Sequence, residues 1–243
     1  MGAIQRVLHM VYPPQCIGCG EVVGDDGGLC GPCWRDTAFI TGLVCDRCGV
    51  PLPGDASDQS RDIVCDECLK TARPWHQGRA VFLYNENGRR MVLGLKHGDR
   101  TEMAGVLSAW MARTGAAFFQ PDMLILPVPL HWRRLFKRRY NQSALLAENV
   151  ARLAGLAYCP DVLQRNRATP SMEGKTRDAR FENVARAISV HPRHKAKLNG
   201  RHVVIVDDVM TSGATFAACT EACLSAGANH VSVLALARVT RDA

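Results

Sequence analysis

Eight of the eleven cysteines fall between Cys16 and Cys68, arranged as four CxxC pairs: Cys16/Cys19, Cys30/Cys33, Cys45/Cys48 and Cys65/Cys68. Two thiolates three positions apart grip one tetrahedral Zn2+ from a single tight turn, and two such knuckles close a structural four-cysteine site. Gly20 and Gly49 directly follow the second cysteine of their pairs, where a knuckle needs backbone freedom near sulfur. The intervening chain is short, rich in Gly, Pro and Asp, and too poor in apolar residues to build a core unaided. Metal is therefore expected to supply most of its folding free energy, through two structural zinc ions. An iron–sulfur cluster fits less well, because the pairing is regular and the CxxCxxC run of ferredoxins is absent. Two ligand partitions are open. Sequential pairing groups Cys16, Cys19, Cys30 and Cys33, then Cys45, Cys48, Cys65 and Cys68, as a double zinc ribbon; interleaved pairing gives a cross-brace. The CxxCG…CxxC layout of each half favours the sequential form.

Charge is divided as unevenly as cysteine. Residues 1–70 carry 5 Lys/Arg against 10 Asp/Glu, net −5, and residues 71–243 carry 25 against 13, net +12, within an overall +7. A basic second part suits phosphate-rich ligands, whether nucleotide-like molecules or nucleic acid. No apolar run approaches the ~18 residues that span a bilayer, so membrane insertion is not expected. The opening Met1-Gly2-Ala3-Ile4-Gln5-Arg6 has no apolar signal-peptide core, and Arg6 stands where myristoylation wants Ser or Thr. A cytoplasmic protein with reduced cysteines is expected. Ile4, Val7, Leu8 and Val11 form a helical apolar stripe ended by Pro13-Pro14. These features divide the chain into residues 1–74, an N-terminal helix with the cysteine module, and residues 75–243, a larger second domain.

From about Trp75 the periodicity becomes that of an α/β protein. Strands are expected at residues 79–84, 123–127, 201–207 and 231–237. A turn into a helix covers residues 88–95 and ends near Lys96-His97-Gly98, and further helices cover residues 101–115, 143–155 and 213–226. Strands alternating with helices imply a parallel sheet covered on both faces. Its ligands bind at the carboxyl ends of the strands. One such end carries the chemistry. The apolar run Val203-Val204-Ile205-Val206 delivers Asp207 and Asp208, and Val209-Met210-Thr211-Ser212-Gly213-Ala214-Thr215 then opens a helix. Loop N–H groups at a helix start, beside Thr and Ser hydroxyls, make a phosphate cradle. Carboxylates next to it suit ribose hydroxyls, with a metal-bound polyphosphate close by. The pattern reads as a site for a ribose 5-phosphate. A Walker B aspartate would require a P-loop, and the sole candidate, Gly174-Lys175-Thr176, has Thr169 where the first glycine belongs. A helix start capped by Thr or Ser accounts for one hydroxyl, but not for paired carboxylates beside a small-residue loop.

Asp207-Asp208 followed by Thr211-Ser212-Gly213-Ala214-Thr215 resembles the motif with which type I phosphoribosyltransferases bind phosphoribosyl pyrophosphate (PRPP). The order of elements along essentially the full chain is similar to that of the ComF family, competence-associated phosphoribosyltransferase-like proteins. It runs through the four CxxC pairs, Leu95-Lys96-His97-Gly98-Asp99, Pro127-Val128-Pro129-Leu130, Arg139-Tyr140-Asn141-Gln142-Ser143, Arg167-Ala168-Thr169, Arg180-Phe181-Glu182-Asn183-Val184 and the phosphate loop. The chain departs from the family at one place: Arg138-Arg139-Tyr140-Asn141-Gln142 stands where the family usually reads Arg-Gly-Phe-Asn-Gln.

The resemblance implies a type I phosphoribosyltransferase-like parallel sheet with helices on both faces, preceded by a double zinc ribbon. It implies PRPP binding with Mg2+, Asp207 and Asp208 as the catalytic pair, Lys96 as a pyrophosphate contact, and a hood over residues 167–183. The basic loop with Arg133, Arg134, Lys137, Arg138 and Arg139 takes the pyrophosphate in such enzymes, and guanidinium groups suit that contact. The same cations, interleaved with Trp132, Phe136 and Tyr140, equally suit single-stranded DNA. In the transferase (glycosyltransferase) reading, a nitrogen nucleophile of an acceptor the sequence does not name attacks C1 of PRPP as pyrophosphate leaves. Positioning and charge neutralisation then carry the catalysis. The alternative is a non-catalytic DNA-binding accessory protein with a PRPP-sensing or vestigial pocket. Both readings imply a part in DNA uptake or related nucleotide metabolism, and contacts with DNA-uptake or recombination proteins. Cys159, Cys219 and Cys223 read as core residues.

Overall fold

A computed structural model describes residues 12–24, 27–54, 63–97, 100–132, 135–136, 139–167 and 187–240. The cysteine module consists of two alike halves. In each, the first CxxC pair makes a tight turn closed by a glycine amide, Gly20 N–H to Cys16 O at 2.9 Å and Gly49 N–H to Cys45 O at 2.8 Å. The second pair opens a short helix, α1 (Gly31–Asp36) after Cys30 and α2 (Asp66–Lys70) after Cys65. Gly49 has φ 69° and lies so close to the next segment that a Cβ would come within 2.9 Å of Arg79 Cα. Both its backbone angle and its crowding demand glycine.

The second part follows as β1 (Gln77–Leu83), α3 (Glu86–His97), α4 (Met103–Gly115), β2 (Leu124–Pro127), α5 (Gln142–Ala154), β3 (Ala157–Tyr158), β4 (Leu163–Arg165), β5 (Ile188–Val190), β6 (His202–Met210), α6 (Ala214–Ser225) and β7 (His230–Arg238). Five strands form one sheet in the order β1-β7-β6-β2-β3, all pairs parallel, and β4 and β5 form a separate antiparallel pair. Apolar residues run on without polar alternation in β6 and β7 because both faces of the sheet are covered. Val203 and Ile205 join one core, with Phe216 of α6, Leu163 and Ile188. Val204 and Val206 join the other, with Met91 and Leu95 of α3, Leu107 of α4 and Leu146 of α5.

The cysteine module is fastened to this sheet. Ile40 N–H donates to Val81 O at 2.8 Å, Leu83 N–H to Ala38 O at 2.9 Å and Gly78 N–H to Asp46 O at 2.8 Å. Cys45, Cys48 and Cys68 belong to the same apolar cluster as Trp75 and Phe216. The module thus draws on the domain's core as well as on its metal.

Four strands and four helices of the second part stand where the sequence predicts them, with three differences. Strand β6 runs on past Asp207 to Met210, so Asp208 lies within the strand and not after it. The reason is β7, which continues to Arg238 and keeps the ladder paired as far as Met210. Helix α3 starts before Gly88, because Asn85 Oδ1 accepts the Gly88 N–H at 3.1 Å and caps the first turn. Strands β3, β4 and β5, of two or three residues each, are not anticipated. The stripe at residues 4–11 and the hood beyond Arg167 lie outside the described residues. Among those described, no helix is long and apolar enough to cross a membrane.

Candidate functional site

The eight cysteines of the module come together as two groups in the sequential pairing: Cys16, Cys19, Cys30 and Cys33, and Cys45, Cys48, Cys65 and Cys68, the sulfurs of each within 4.8 Å of one another. The Cys19–Cys30 and Cys48–Cys65 sulfur separations are 3.6 and 3.7 Å. A tetrahedron with Zn–S of about 2.3 Å has edges of about 3.8 Å, so both groups fit structural zinc. Backbone amides point at the sulfurs as they do at thiolates, Cys30 N–H to Cys16 Sγ and Cys65 N–H to Cys45 Sγ, each at 3.3 Å. Burial opposes ionisation of Cys16, yet the amides of Cys30, Cys19 and Gly18 outweigh it and bring the thiol down to about 6. In the same group burial, reinforced by Cys30 and Cys19, pushes Cys33 up to about 12. Cys45 is likewise lowered by Cys48 and Cys68, while Cys48 is raised chiefly by Cys45. Four thiols this close cannot all ionise without a divalent cation between them.

Three segments meet at the carboxyl end of β6. The start of α5 is fixed by Asn141, whose Oδ1 accepts the Ser143 N–H at 3.1 Å while its Nδ2 donates to Val128 O at 3.0 Å. Tyr140 Oη donates to Leu95 O at 2.6 Å and so joins this segment to the end of α3. From there Ser143 Oγ donates to Asp207 Oδ1 at 2.6 Å, and Lys96 Nζ lies 3.1 Å from Asp208 Oδ2. Lys96, expected at the pyrophosphate, therefore rests on the acidic pair. Burial, and then the charge of Asp208, push Asp207 up to about 7, against the pull of Ser143 and Lys96.

Beyond the carboxylates, residues 209–216 wrap a recess of about 20 Å3. Gly213 sits at the start of α6 with φ 81° and offers no capping side chain, and Ser212 Oγ approaches Ala214 N at 3.4 Å. A Cβ on Gly213 would come within 2.8 Å of Trp75 Cη2. Two buried arginines hold the loop from behind. Arg73 Nη1 donates to Ser212 O at 2.6 Å, and Arg238 Nη1 donates to Thr211 O at 2.7 Å. Each also faces Glu67, Arg73 Nη2 at 3.3 Å from Oε1 and Arg238 Nη2 at 3.4 Å from Oε2.

Val209, Met210, Thr211, Ser212, Gly213, Ala214 and Thr215 are thus brought together with Asp207, Asp208 and Lys96. Arg133, Arg134, Lys137 and Arg138 lie outside the described residues. Arg139 has φ 65°, in the left-handed region that favours glycine. Sequence reasoning missed Ser143, Glu67, Arg73 and Arg238 as parts of the site. Ser143 could have been found from its place in the Tyr140-Asn141-Gln142-Ser143 segment; the arginines carry no local signal. It also missed a cluster in which Asp161 pairs with His194 at 2.9 Å and Lys197 Nζ lies 3.3 Å from Cys159 Sγ. His194 lowers the Asp161 carboxyl. The Cys159 sulfur, the Asp161 carboxylate and the His194 ring lie within 4.8 Å of one another. Cys159, Cys219 and Cys223 are buried as expected.

A parallel sheet in this order, with paired acids running into a small-residue loop and two four-cysteine ribbons ahead of it, defines a phosphoribosyltransferase-type domain joined to a double zinc ribbon. Residues 7–69 match the double zinc ribbon domain and residues 141–242 the phosphoribosyl transferase domain. The DNA utilization protein YhgH of Salmonella typhimurium is 33% identical over 217 residues, which is 87% of this chain and 90% of the relative. Competence protein F of Haemophilus influenzae is 26% identical over 92% of this chain and 96% of its own length. Competence protein ComFC of Bacillus subtilis is 26% identical over 78% of this chain and 75% of its own length. The chain belongs to the ComF family.

Proposed function

We propose that this protein binds PRPP at the carboxyl end of β6 and acts in the cytoplasm in DNA uptake or related nucleotide metabolism. Asp207 and Asp208 take the ribose hydroxyls, and the loop from Thr211 to Thr215 takes the 5-phosphate. Lys96, released from Asp208, and the basic residues Arg133, Arg134, Lys137, Arg138 and Arg139 take the pyrophosphate with its Mg2+. The observation that carries this reading is the pair of adjacent carboxylates, tied by Ser143 and Lys96, leading directly into a recess lined by residues 209–216. Such preorganised charge suits the oxocarbenium-like transition state of phosphoribosyl transfer to an acceptor. The names of the relatives, DNA utilization and competence, support the cellular role. In this reading residues 75–243 form the ligand-binding unit and residues 1–74 a zinc-dependent support.

Calorimetric titration of zinc-loaded protein with PRPP and Mg2+, beside the Asp207→Ala/Asp208→Ala variant, tests the proposal. Saturable binding that the variant loses is expected; no binding by the wild type overturns it. A second reading, single-stranded DNA held at the basic loop, is favoured by the exposure of Trp132 (59%) and Phe136 (84%) at that place. Stacking on such rings tolerates any base. Neutralising the five cations of that loop then weakens DNA binding and flattens its salt dependence.

A further inference from the structure

We propose that the second zinc ribbon is a working part of the phosphate loop: the metal group at Cys45, Cys48, Cys65 and Cys68 sets the loop's geometry through Glu67, Arg73 and Arg238. The inference rests on the reading that this loop takes the PRPP 5-phosphate, and it adds what controls that site. Glu67 stands between Cys65 and Cys68, so its position is dictated by the knuckle that holds the metal. Its two carboxylate oxygens face two guanidinium groups, at 3.3 and 3.4 Å, whose side chains are only 2% exposed. The other arms of those guanidiniums reach the carbonyls of Ser212 and Thr211, consecutive residues of the loop. Arg73 touches the metal group directly as well, Nε lying 3.5 Å from Cys68 Sγ. A guanidinium has its donors in one rigid plane, so moving the carboxylate end moves the carbonyl end.

The path is therefore continuous: metal, knuckle, carboxylate, two arginines, two loop carbonyls. A trans peptide unit carries C=O and N–H on opposite sides. Holding the carbonyls of Thr211 and Ser212 from behind leaves the N–H groups of Ser212 and Gly213 on the other side, where the proposal places the anion. Glycine at position 213 is what lets Trp75 and Arg73 approach this closely, a Cβ there coming within 3.1 Å of Arg73 Nη1. The first ribbon packs elsewhere: its Ile17 lies in the core on the opposite face of the sheet from Trp75 and Phe216. The two zinc groups are thus unequal: the second supports the phosphate site and the first does not.

The test uses full-length, zinc-loaded protein and reads amide hydrogen exchange in peptides spanning the loop, beside PRPP calorimetry and metal content. Glu67→Gln keeps all eight thiolates and is expected to retain two zinc ions with a lowered melting temperature, since two buried guanidinium groups lose their carboxylate. Loop amides exchange faster, and PRPP binds more weakly, by on the order of 10-fold, the scale of one lost charge-assisted hydrogen bond. Arg73→Lys, which keeps the charge but not the fork, shows the same pattern should Glu67→Gln fold poorly. Cys19→Ser, in the first ribbon, leaves loop exchange unchanged. By linkage, saturating PRPP raises the zinc affinity of the second group, measured by chelator competition, and not that of the first. Unaltered loop exchange in Glu67→Gln and Arg73→Lys overturns the proposal whether or not PRPP binds. A loop that responds to Glu67 in a protein that binds no PRPP upholds the coupling and overturns the ligand assignment instead.

Discussion

Replacing Ser143 with alanine deletes the 2.6 Å hydrogen bond from its hydroxyl to Asp207 and leaves the backbone cap of α5, made by Asn141, in place. Asp207 already sits near 7, raised first by burial and then by Asp208, with Ser143 and Lys96 pulling the other way. A hydrogen bond to a charged acceptor contributes about 1.5–3 kcal/mol. At about 1.4 kcal/mol per pH unit, its loss moves the Asp207 midpoint up by roughly one to two pH units. In the proposed function the carboxylate is the form that receives ribose hydroxyls, so wild-type affinity for PRPP with Mg2+ is expected to rise as pH climbs through about 7. In Ser143→Ala the ionised fraction at neutral pH falls from about half to between a tenth and a hundredth, and affinity falls about 5- to 50-fold. The loss is recovered by about pH 10. Calorimetric titrations across this range, plotted as the ratio of wild type to variant, cancel the titration of PRPP's own phosphates. A ratio that is large but independent of pH refutes the reasoning, since it places Ser143 in steric support and not in tuning Asp207.

Asp207→Asn should stabilise the free protein at pH 8 by on the order of 2–4 kcal/mol, and by well under about 1 kcal/mol near pH 4. The sign follows from a raised carboxyl, whose contribution is fully present below its unfolded value and lost as pH rises through about 7; melting curves at both pH values check it. Arg139→Gly should leave the fold unchanged or stabilise it by about 1 kcal/mol in denaturant titration, because φ 65° strains any residue with a Cβ. Phe216→Ala should cost about 3–5 kcal/mol, as the ring is 1% exposed and packs edge-on to Trp75 at 6.2 Å. Metal release followed with a chromogenic chelator should give two zinc ions per chain, the group containing exposed Cys19 emptying before the group whose Cys45 and Cys48 are fully buried.

Most of the candidate site could be read from the sequence because its parts are contiguous. Four apolar runs marked β1, β2, β6 and β7, and the acids and loop lie on one of them. The sulfur partition followed from the repeated knuckle. The edge strand β3 and the β4–β5 pair were invisible because each is too short to show a period and exists by pairing with distant residues. The extent of β6 depends on its neighbour β7, a tertiary fact. Arg238 follows an apolar strand with no local sign of burial, yet it is buried against Thr211 and Glu67, 27 and 171 residues away in sequence. Buried charges are stabilised by partners the fold brings to them and have no signature where they stand.

The hydrogen bonds from the cysteine module to β1 have a consequence for how the protein can be cut. Strand β1 is the last strand on its side of the sheet, and Ala38, Ile40 and Asp46 occupy part of its outer row of donors and acceptors. Removing the module uncovers that row, together with Phe82, which meets Phe39 across it in an edge-on ring contact at 6.4 Å. An exposed, apolar, regular edge is a template for another chain. A shortened protein beginning near Trp75 would keep every residue of the phosphate loop and still be lost to aggregation, so the ribbons also serve as the cover that keeps this sheet from growing.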